Sequence, residues 1–419
     1  LVGRALIKFK ECPCIIGKRM ADLFLIYGAQ GWIGQQFVSL CQGVSWIAGN
    51  ARCDDEEGVR AELELVKPTH VICFIGRTHG EGIGTIDYLE GKGKLTENIR
   101  DNLFAPVLLG LECRARGIHL TYMGTGCIFN GLNDYDEAAK PDFFGSSYSV
   151  VKGYTDRLMH CLQDTVLNLR IRMPITGKPH PRNFITKIVG YARICSMDNS
   201  MSVLDDLLPL ALELIKRRHT GTVNLVNPGT ITHNRILELY RERVSPGFTW
   251  VNMTLEEQRT VLASARSNNS LATGLLESLF EPGRVLGIEE SVKRALERYA
   301  KGMPDQVIMV TGGCGFIGSN FINGMVEKYG SRIKIVNIDA LYYCARRENV
   351  TVPEGLGYRF YPCNIRDKAA VLAIMRREQP DVIVHFAAQS HVDSSFNGDL
   401  SLDYSCLLYT SPSPRDATL

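Results

Sequence analysis

Tyr148 and Lys152 stand four residues apart in Tyr-Ser-Val-Val-Lys. Four residues make one helical turn, so a helix over this segment carries both side chains on one face. A lysine ammonium beside a phenol favours the phenolate and brings the hydroxyl toward a pKa at which it can trade a proton with a carbonyl or alcohol oxygen. Next to a hydride donor, that is the chemistry of ketone reduction or alcohol oxidation. Alone, the spacing more often marks a solvated helix face. A glycine-rich turn upstream in the same domain changes that reading.

The turn is Gly28-Ala-Gln-Gly31-Trp32-Ile33-Gly34, after the apolar run Leu23–Tyr27 and before a helical pattern. A second, Gly312-Gly-Cys-Gly315-Phe316-Ile317-Gly318, comes after Val307–Thr311. In strand–turn–helix context such glycines allow a tight turn and let the backbone approach a pyrophosphate at a helix N-terminus. Out of that context, each is only a turn needing positive φ. The next strand after each loop ends differently. Ile333–Asp339 ends on a carboxylate, where an acid meets the ribose hydroxyls of NAD. The strand near Val44–Ala48 ends in Gly49-Asn-Ala-Arg52 with no acid at its tip, and Arg52 is available to a 2′-phosphate, although Asp54 and Asp55 come soon after. The expectation is NADP(H) in the first domain and NAD in the second.

The elements around these loops read as α/β. Residues 20–175 alternate strand and helix patterns and predict a Rossmann-type, doubly wound parallel sheet with helices on both faces. Residues 176–300 predict a smaller substrate lobe, with helices near 205–218, 234–244 and 255–265. Residues 301–306 read as a linker, and 307–404 as the start of a second doubly wound domain of about three βα units. Two ends break the pattern: residues 1–19 are expected to be unstructured or translated upstream sequence, and 405–419 an artefactual or disordered tail.

Bulk properties narrow the classes. In 419 residues, 47 basic side chains face 45 acidic ones, so no basic excess points to nucleic acid or an anionic membrane. No apolar run reaches the roughly 18 residues of a membrane span. The 13 cysteines are odd in number and scattered, which suits reduced thiols and a cytoplasmic protein. Cys12 and Cys14 form the one close pair, and no second pair at ligand spacing joins them, so no metal is expected.

Residues 20–300 resemble the extended short-chain dehydrogenase/reductases, and among them the nucleotide-sugar 3,5-epimerase/4-reductases of L-rhamnose synthesis. The resemblance rests on the Gly28–Gly34 loop, Gly124-Thr125-Gly-Cys127-Ile-Phe129, Gly145–Lys152, Leu169–Ile175, Arg182-Asn183-Phe-Ile-Thr-Lys187, Asn227-Pro-Gly and Ala265-Arg266-Ser-Asn268-Asn269. It implies a UDP- or dTDP-linked 4-keto-6-deoxy sugar as substrate, and a homodimer as the assembly to expect. The C4 ketone acidifies the protons at C3 and C5, and epimerisation needs proton groups on opposite faces. The resemblance assigns these to Cys127 and Lys187, and stabilisation of the enolate to Thr125 and Tyr148. Tyr148 and Lys152 then serve hydride transfer to C4, with Lys152 holding the ribose and Asn102 supporting a lysine-linked water. Arg182, Asn183, Arg266 and Asn268 are expected at the substrate.

Residues 307–400 resemble the start of a nucleotide-sugar 4,6-dehydratase, through Thr311–Asn320, Asp339 and His385–Asp393. That family's own Tyr-x-x-x-Lys and Thr-Asp-Glu cluster do not occur before residue 419, and Asn364 stands where the family has an aspartate, so this part is expected to be incomplete and inactive. Two other readings compete for the first domain. GDP-L-fucose synthesis uses the same two steps, but with a histidine where Lys187 stands. A non-catalytic NADP-binding regulatory subunit tends to lose the tyrosine–lysine pair or the cysteine, and here all four groups are present.

Overall fold

The computed structural model describes residues 22–388, apart from Met303, Asp305, Tyr343, Cys344 and Leu356. Residues 1–19, the motif residues Gln389–Asp393 and the tail from 405 lie outside them. The chain divides into two units. One comprises the described residues up to Pro174 with Cys195–Thr232 and Met253–Ser291; the other comprises Ile175–Ile194, His233–Asn252 and the described residues from Val292. The expected lobe over 176–300 is thus shared between the two.

In the first unit, β1 (Leu23–Tyr27), β2 (Ser45–Ala48), β3 (His70–Cys73), β4 (His119–Thr125) and, further on, Val166–Ile171 and Gly221–Asn224 form one six-stranded sheet. Every neighbouring pair is parallel, and β1 lies between β2 and β3. Strand order therefore reverses beside β1, at the crevice where doubly wound folds take their ligands. β3 and β4 are buried at every residue, as strands covered on both faces must be. Alternation then sorts the core. Phe24 and Ile26 face one layer with Phe37 and Leu204–Ile215; Leu25 and Tyr27 face the other with Val59, Leu63, Leu109 and Met159.

The helices are α1 (Trp32–Leu40), α2 (Glu56–Val66), α3 (Leu95–Ile99), α4 (Ala105–Arg116) and, after the short strand β5 (Gly131–Tyr135), α5 (Ser147–His160). Their ends follow capping chemistry. The Asp55 carboxylate accepts the Gly58 N–H, the Ser146 hydroxyl accepts the Ser149 N–H, and Gly117 closes α4 in the left-handed region. The later helices lie at Leu204–Lys216, His233–Arg243 and Leu255–Val261, within a few residues of expectation.

The second unit holds a four-stranded parallel sheet in the order Tyr358–Pro362, Ile333–Asp339, Gln306–Thr311, Val382–His385. This is the 3-2-1-4 order of a dinucleotide-binding fold, one strand more than expected. Among the described residues no helix is long and apolar enough to cross a membrane.

Candidate active site

At the switch point, Gly28 ends β1 with φ +78°, and a Cβ there would lie 3.2 Å from the Phe74 carbonyl carbon. A Cβ on Gly34 would sit 2.2 Å from the Gly28 oxygen, so α1 packs against the turn only as glycine. No acid occupies the first turn of α1, so no side-chain charge there repels an anion at the helix N-terminus. Trp32 and Ile33 in that turn pack on the core instead. The residues therefore fit a dinucleotide pyrophosphate.

The tip of β2 is held by a residue the sequence did not flag. Glu62 on α2 accepts N–H groups from Asn50 (2.8 Å) and Ala51 (3.1 Å) and the Tyr27 hydroxyl (2.8 Å). Beyond it, Arg52 has a side chain 67% exposed and pairs with Asp54 at 3.0 Å. Asp54 also lies 3.7 Å from Arg100, which meets Asp101 at 2.7 Å, and Asp101 takes Arg77 at 2.5 Å. With Glu97 3.6 Å from Arg77, three guanidinium groups thus share three carboxylates.

Asn102 sits in a π-helical turn, Arg100–Phe104, between α3 and α4. Its side chain accepts the Arg77 N–H (2.9 Å) and donates to the Arg77 carbonyl (2.8 Å) and to Asn98 (2.9 Å). Its amide thus ties the loop after β3 to Asn98, and its carbonyl accepts the Thr155 hydroxyl of α5 at 2.7 Å.

Thr125 and Cys127 leave the C-terminal end of β4, and Tyr148 and Lys152 rise from the start of α5. The Ser149 hydroxyl joins the two segments by donating to the Cys127 carbonyl at 2.8 Å. The Cys127 N–H donates to the Thr125 hydroxyl at 3.1 Å, and Tyr148 packs with Cys127, Tyr88 and Leu89. Burial and the nearby Cys127 thiol raise the Tyr148 phenol, while a hydrogen bond with Thr125 pulls it down. Burial lowers the Lys152 ammonium to about 8, against the opposing pull of Cys73, Asp156 and Cys127. Lys152 Nζ donates to the Tyr122 hydroxyl and lies 4.5 Å over its ring. Buried Tyr122, on β4, is thus the partner that the ammonium of Lys152 has in the structure. One turn on, Asp156 is tied to Arg170 by bonds of 2.9 and 2.8 Å and to Asn168 at 2.9 Å.

In the same unit Arg266 pairs with Asp87 at 2.5 Å, and Asn268 accepts the Asn199 amide at 2.9 Å. Burial raises the Asp87 carboxyl, but Arg266, with Thr85 and Ser264, outweighs it and holds the group below the carboxylate range. Both side chains expected at the substrate thus have protein partners.

In the second unit, α6 (Phe184–Ile188) carries Lys187 in its last turn. Asn183 caps it and is fully buried, donating to the carbonyls of Thr176 (2.7 Å) and Lys178 (2.9 Å). It orders the segment that presents Lys187, while Arg182 is exposed beside it. Burial and then the charges of Arg182 and Lys187 lower the His180 imidazole.

The second glycine loop repeats the first. Gly312 has φ +70°, and a Cβ on Gly318 would lie 2.3 Å from the Gly312 oxygen. Phe316 and Ile317 are exposed in the first turn of the helix Phe316–Tyr329. Asp339 accepts the N–H groups of Cys314 and Leu341, both at 2.8 Å, which ties the strand end to the loop. Among the described residues no three His, Cys, Asp or Glu side chains are grouped to hold a metal.

A parallel doubly wound sheet with a glycine loop at its switch point, and a tyrosine–lysine pair one turn apart on a helix of the same unit, is the arrangement of the Rossmann-type reductases and epimerases. Comparison with known proteins narrows the class. Protein L780 of Acanthamoeba polyphaga mimivirus is 50% identical over 282 residues, 65% of this chain and 98% of its own. The crystal structure of the L780 UDP-rhamnose synthase matches 66% of this chain and 99% of that one, with a TM-score of 0.65 and 48% identity. A bifunctional dTDP-4-dehydrorhamnose 3,5-epimerase/reductase of Arabidopsis thaliana is 40% identical over 281 residues, 64% of this chain and 90% of its own. The chain belongs to this epimerase/reductase family of L-rhamnose nucleotide synthesis. Residues 309–402 match the GDP-mannose 4,6 dehydratase family. A dTDP-D-glucose 4,6-dehydratase of Bos taurus is 41% identical over 99 residues, 23% of this chain and 28% of its own, so the chain spans about a quarter of that relative.

Proposed function

We propose that the chain converts a UDP- or dTDP-linked 4-keto-6-deoxyglucose to the L-rhamnose nucleotide, by epimerisation at C3 and C5 and reduction at C4. The observation that carries this is the gathering of Cys127, Thr125 and Tyr148 at the end of β4, with Lys152 one turn further along α5. Cys127 returns a proton to one face of the enolate, and Lys187 is its partner for the other. Thr125 and Tyr148 donate to the enolate oxygen, where preorganised hydrogen bonds act most strongly. Tyr148 then gives its proton to the C4 oxygen. A bound NADPH would supply the hydride. Its 2′-phosphate would meet Arg52, and Lys152 would hold its ribose. The resemblance gives Arg266 and Asn268 in the first unit, and Arg182 and Asn183 in the second, to the substrate.

The segment from Gln306 takes NAD, with Asp339 toward the ribose, and is a part of a 4,6-dehydratase domain. On this reading the functional division runs 20–300 and 307–404, and the protein is a homodimer. Incubation of the purified chain with the 4-keto nucleotide and NADPH tests the proposal. Cofactor oxidation with appearance of the L-rhamnose nucleotide is expected. An unchanged cofactor and no deoxysugar product would end it.

A further inference from the structure

The tip of β2 has little backbone left to offer an anion. Glu62 already takes the N–H groups of Asn50 and Ala51, and the Asp55 N–H closes a turn on the Arg52 carbonyl at 2.9 Å. Gly49 packs on the Tyr27 ring with no space for a Cβ, which keeps the tip tight against β1. A phosphate at this tip must therefore be held by side chains. Arg52 is one, and its guanidinium is shared with Asp54. A phosphate monoester carries roughly two negative charges at neutral pH, so one exposed arginine leaves it half matched.

A second cation reaches the same carboxylate from a distant segment. Arg52 lies 3.0 Å from Asp54, and Arg100 Nε lies 3.7 Å from it, beyond hydrogen-bond length. Two guanidinium groups thus flank one anion beside the β2 tip. Arg100 is aimed by its neighbours. Asp101 takes its Nε at 2.7 Å and a terminal nitrogen at 3.3 Å, and the same carboxylate is held by Arg77. The π-helical turn that carries Arg100 is a rare geometry that gathers at functional sites, and Asn102 locks it by bonds to Arg77 and Asn98. The Arg100 side chain still keeps 35% of its surface exposed. Ion pairs this exposed add little to stability, so stability alone does not account for the bracing.

We infer that Arg100 is a specificity-determining residue for the cofactor: together with Arg52 it takes the 2′-phosphate of NADPH, in the place where Asp54 lies between the two. This rests on the first domain being the NADP(H) site. In an NAD-binding fold the acid at the end of the second strand contacts the ribose hydroxyls. Here the acid Asp54 stands beyond the tip between two cations, and a ligand of higher charge competes with it for both. Two planar guanidinium groups can grip a phosphate from two sides. NADH lacks that phosphate, gains nothing from Arg100 and leaves the Asp54 pairs in place.

The test is calorimetric titration of the full chain with ADP-ribose and with ADP-ribose carrying a phosphate at its adenosine 2′ position, so that neither nicotinamide nor sugar chemistry enters. The wild type is expected to bind the phosphorylated probe more tightly. Arg100→Gln is expected to weaken that probe about tenfold and to leave plain ADP-ribose within about twofold. An unchanged affinity for the phosphorylated probe would overturn the inference. Equal weakening of both probes would also overturn it, by making Arg100 a structural brace of its turn. Should Arg100→Gln not fold, Arg100→Lys decides: it keeps the charge without the fork, and is expected to weaken the phosphorylated probe alone, by about threefold. Equal weakening of both probes, or none, overturns the inference there too. A wild type that binds the two probes equally refutes the NADP(H) reading itself. A preference that Arg52→Ala removes and Arg100→Gln keeps leaves that reading standing and refutes the role of Arg100.

Discussion

Tyr122→Phe isolates the least expected part of the site. The substitution keeps the ring packed in the sheet and removes only the hydroxyl that receives the Lys152 ammonium. A hydrogen bond to a charged group is worth about 1.5–3 kcal/mol, and each pKa unit about 1.4 kcal/mol, so the loss is roughly one to two units. Its direction is fixed by which form the bond favours. The ammonium has no acceptor left, the bond is stronger to the charged form, and its removal disfavours protonation. Lys152 stands at about 8 in the wild type. The variant is therefore expected lower by roughly one to two units, and the protonated fraction at neutral pH falls with it. Because kcat/KM reports groups of the free enzyme, the alkaline limb of its profile for NADPH-dependent reduction should move down by one to two pH units. Proton exchange at C3 and C5, which does not use Lys152, should keep its own profile. A reductive limb unmoved in Tyr122→Phe would show that the Tyr122 bond does not set the state of Lys152 in the working enzyme.

Tyr148→Phe should lower reduction by about 10²–10⁴, the usual worth of a positioned proton donor, while deuterium exchange at C3 and C5 persists; parallel loss of both would show the two roles are not divided. Arg52→Ala should weaken NADPH binding about tenfold and NADH little, and Asp54→Asn, which frees Arg52 and Arg100 from their shared carboxylate, should strengthen NADPH; titration of the protein with both reduced cofactors decides. Acid stability should depend on His70. Burial lowers its imidazole to about 4 from 6.5, so its contribution is complete above pH 6.5 and is lost as pH falls from there toward 4, by about 3 kcal/mol in all. His70→Phe should therefore flatten the fall in urea midpoint between pH 7.5 and 5.0, and an equally steep fall in the variant would contradict this.

What the sequence made legible is local. A run such as Leu23–Tyr27 followed by glycines at 28, 31 and 34 is a strand, a turn and a helix within twelve residues, and Tyr148 and Lys152 are one turn apart. What it hid depends on pairs far apart in the chain. Tyr27 meets Glu62 across 35 residues, Lys152 meets Tyr122 across 30, and Arg172 meets Ser267 across 95. Neither Glu62, on an exposed-looking helix face, nor Tyr122, inside a strand, has a neighbour in sequence that betrays its partner. Likewise Asn102 and Asn183 sit in motif segments but use their amides on backbone, which only the folded loop reveals.

One signal was present in the sequence and carries further than its pattern suggests. Val166–Arg172 alternates Leu167, Leu169 and Ile171 with Asn168, Arg170 and Arg172. Period-two alternation ordinarily means one face in the core and one in water. Here both faces are buried: the three polar residues are each 1% exposed or less. Two facts together exclude a solvated face: the strand is interior to a parallel sheet, flanked by β4 and Gly221–Asn224, and helices cover such sheets on both sides. Polar alternation in a strand that topology requires to be interior must therefore be answered by internal partners. Asp156 answers Arg170 with a charge, and neutral acceptors of Gly126, Asn199, Ser200 and Ser267 answer Arg172.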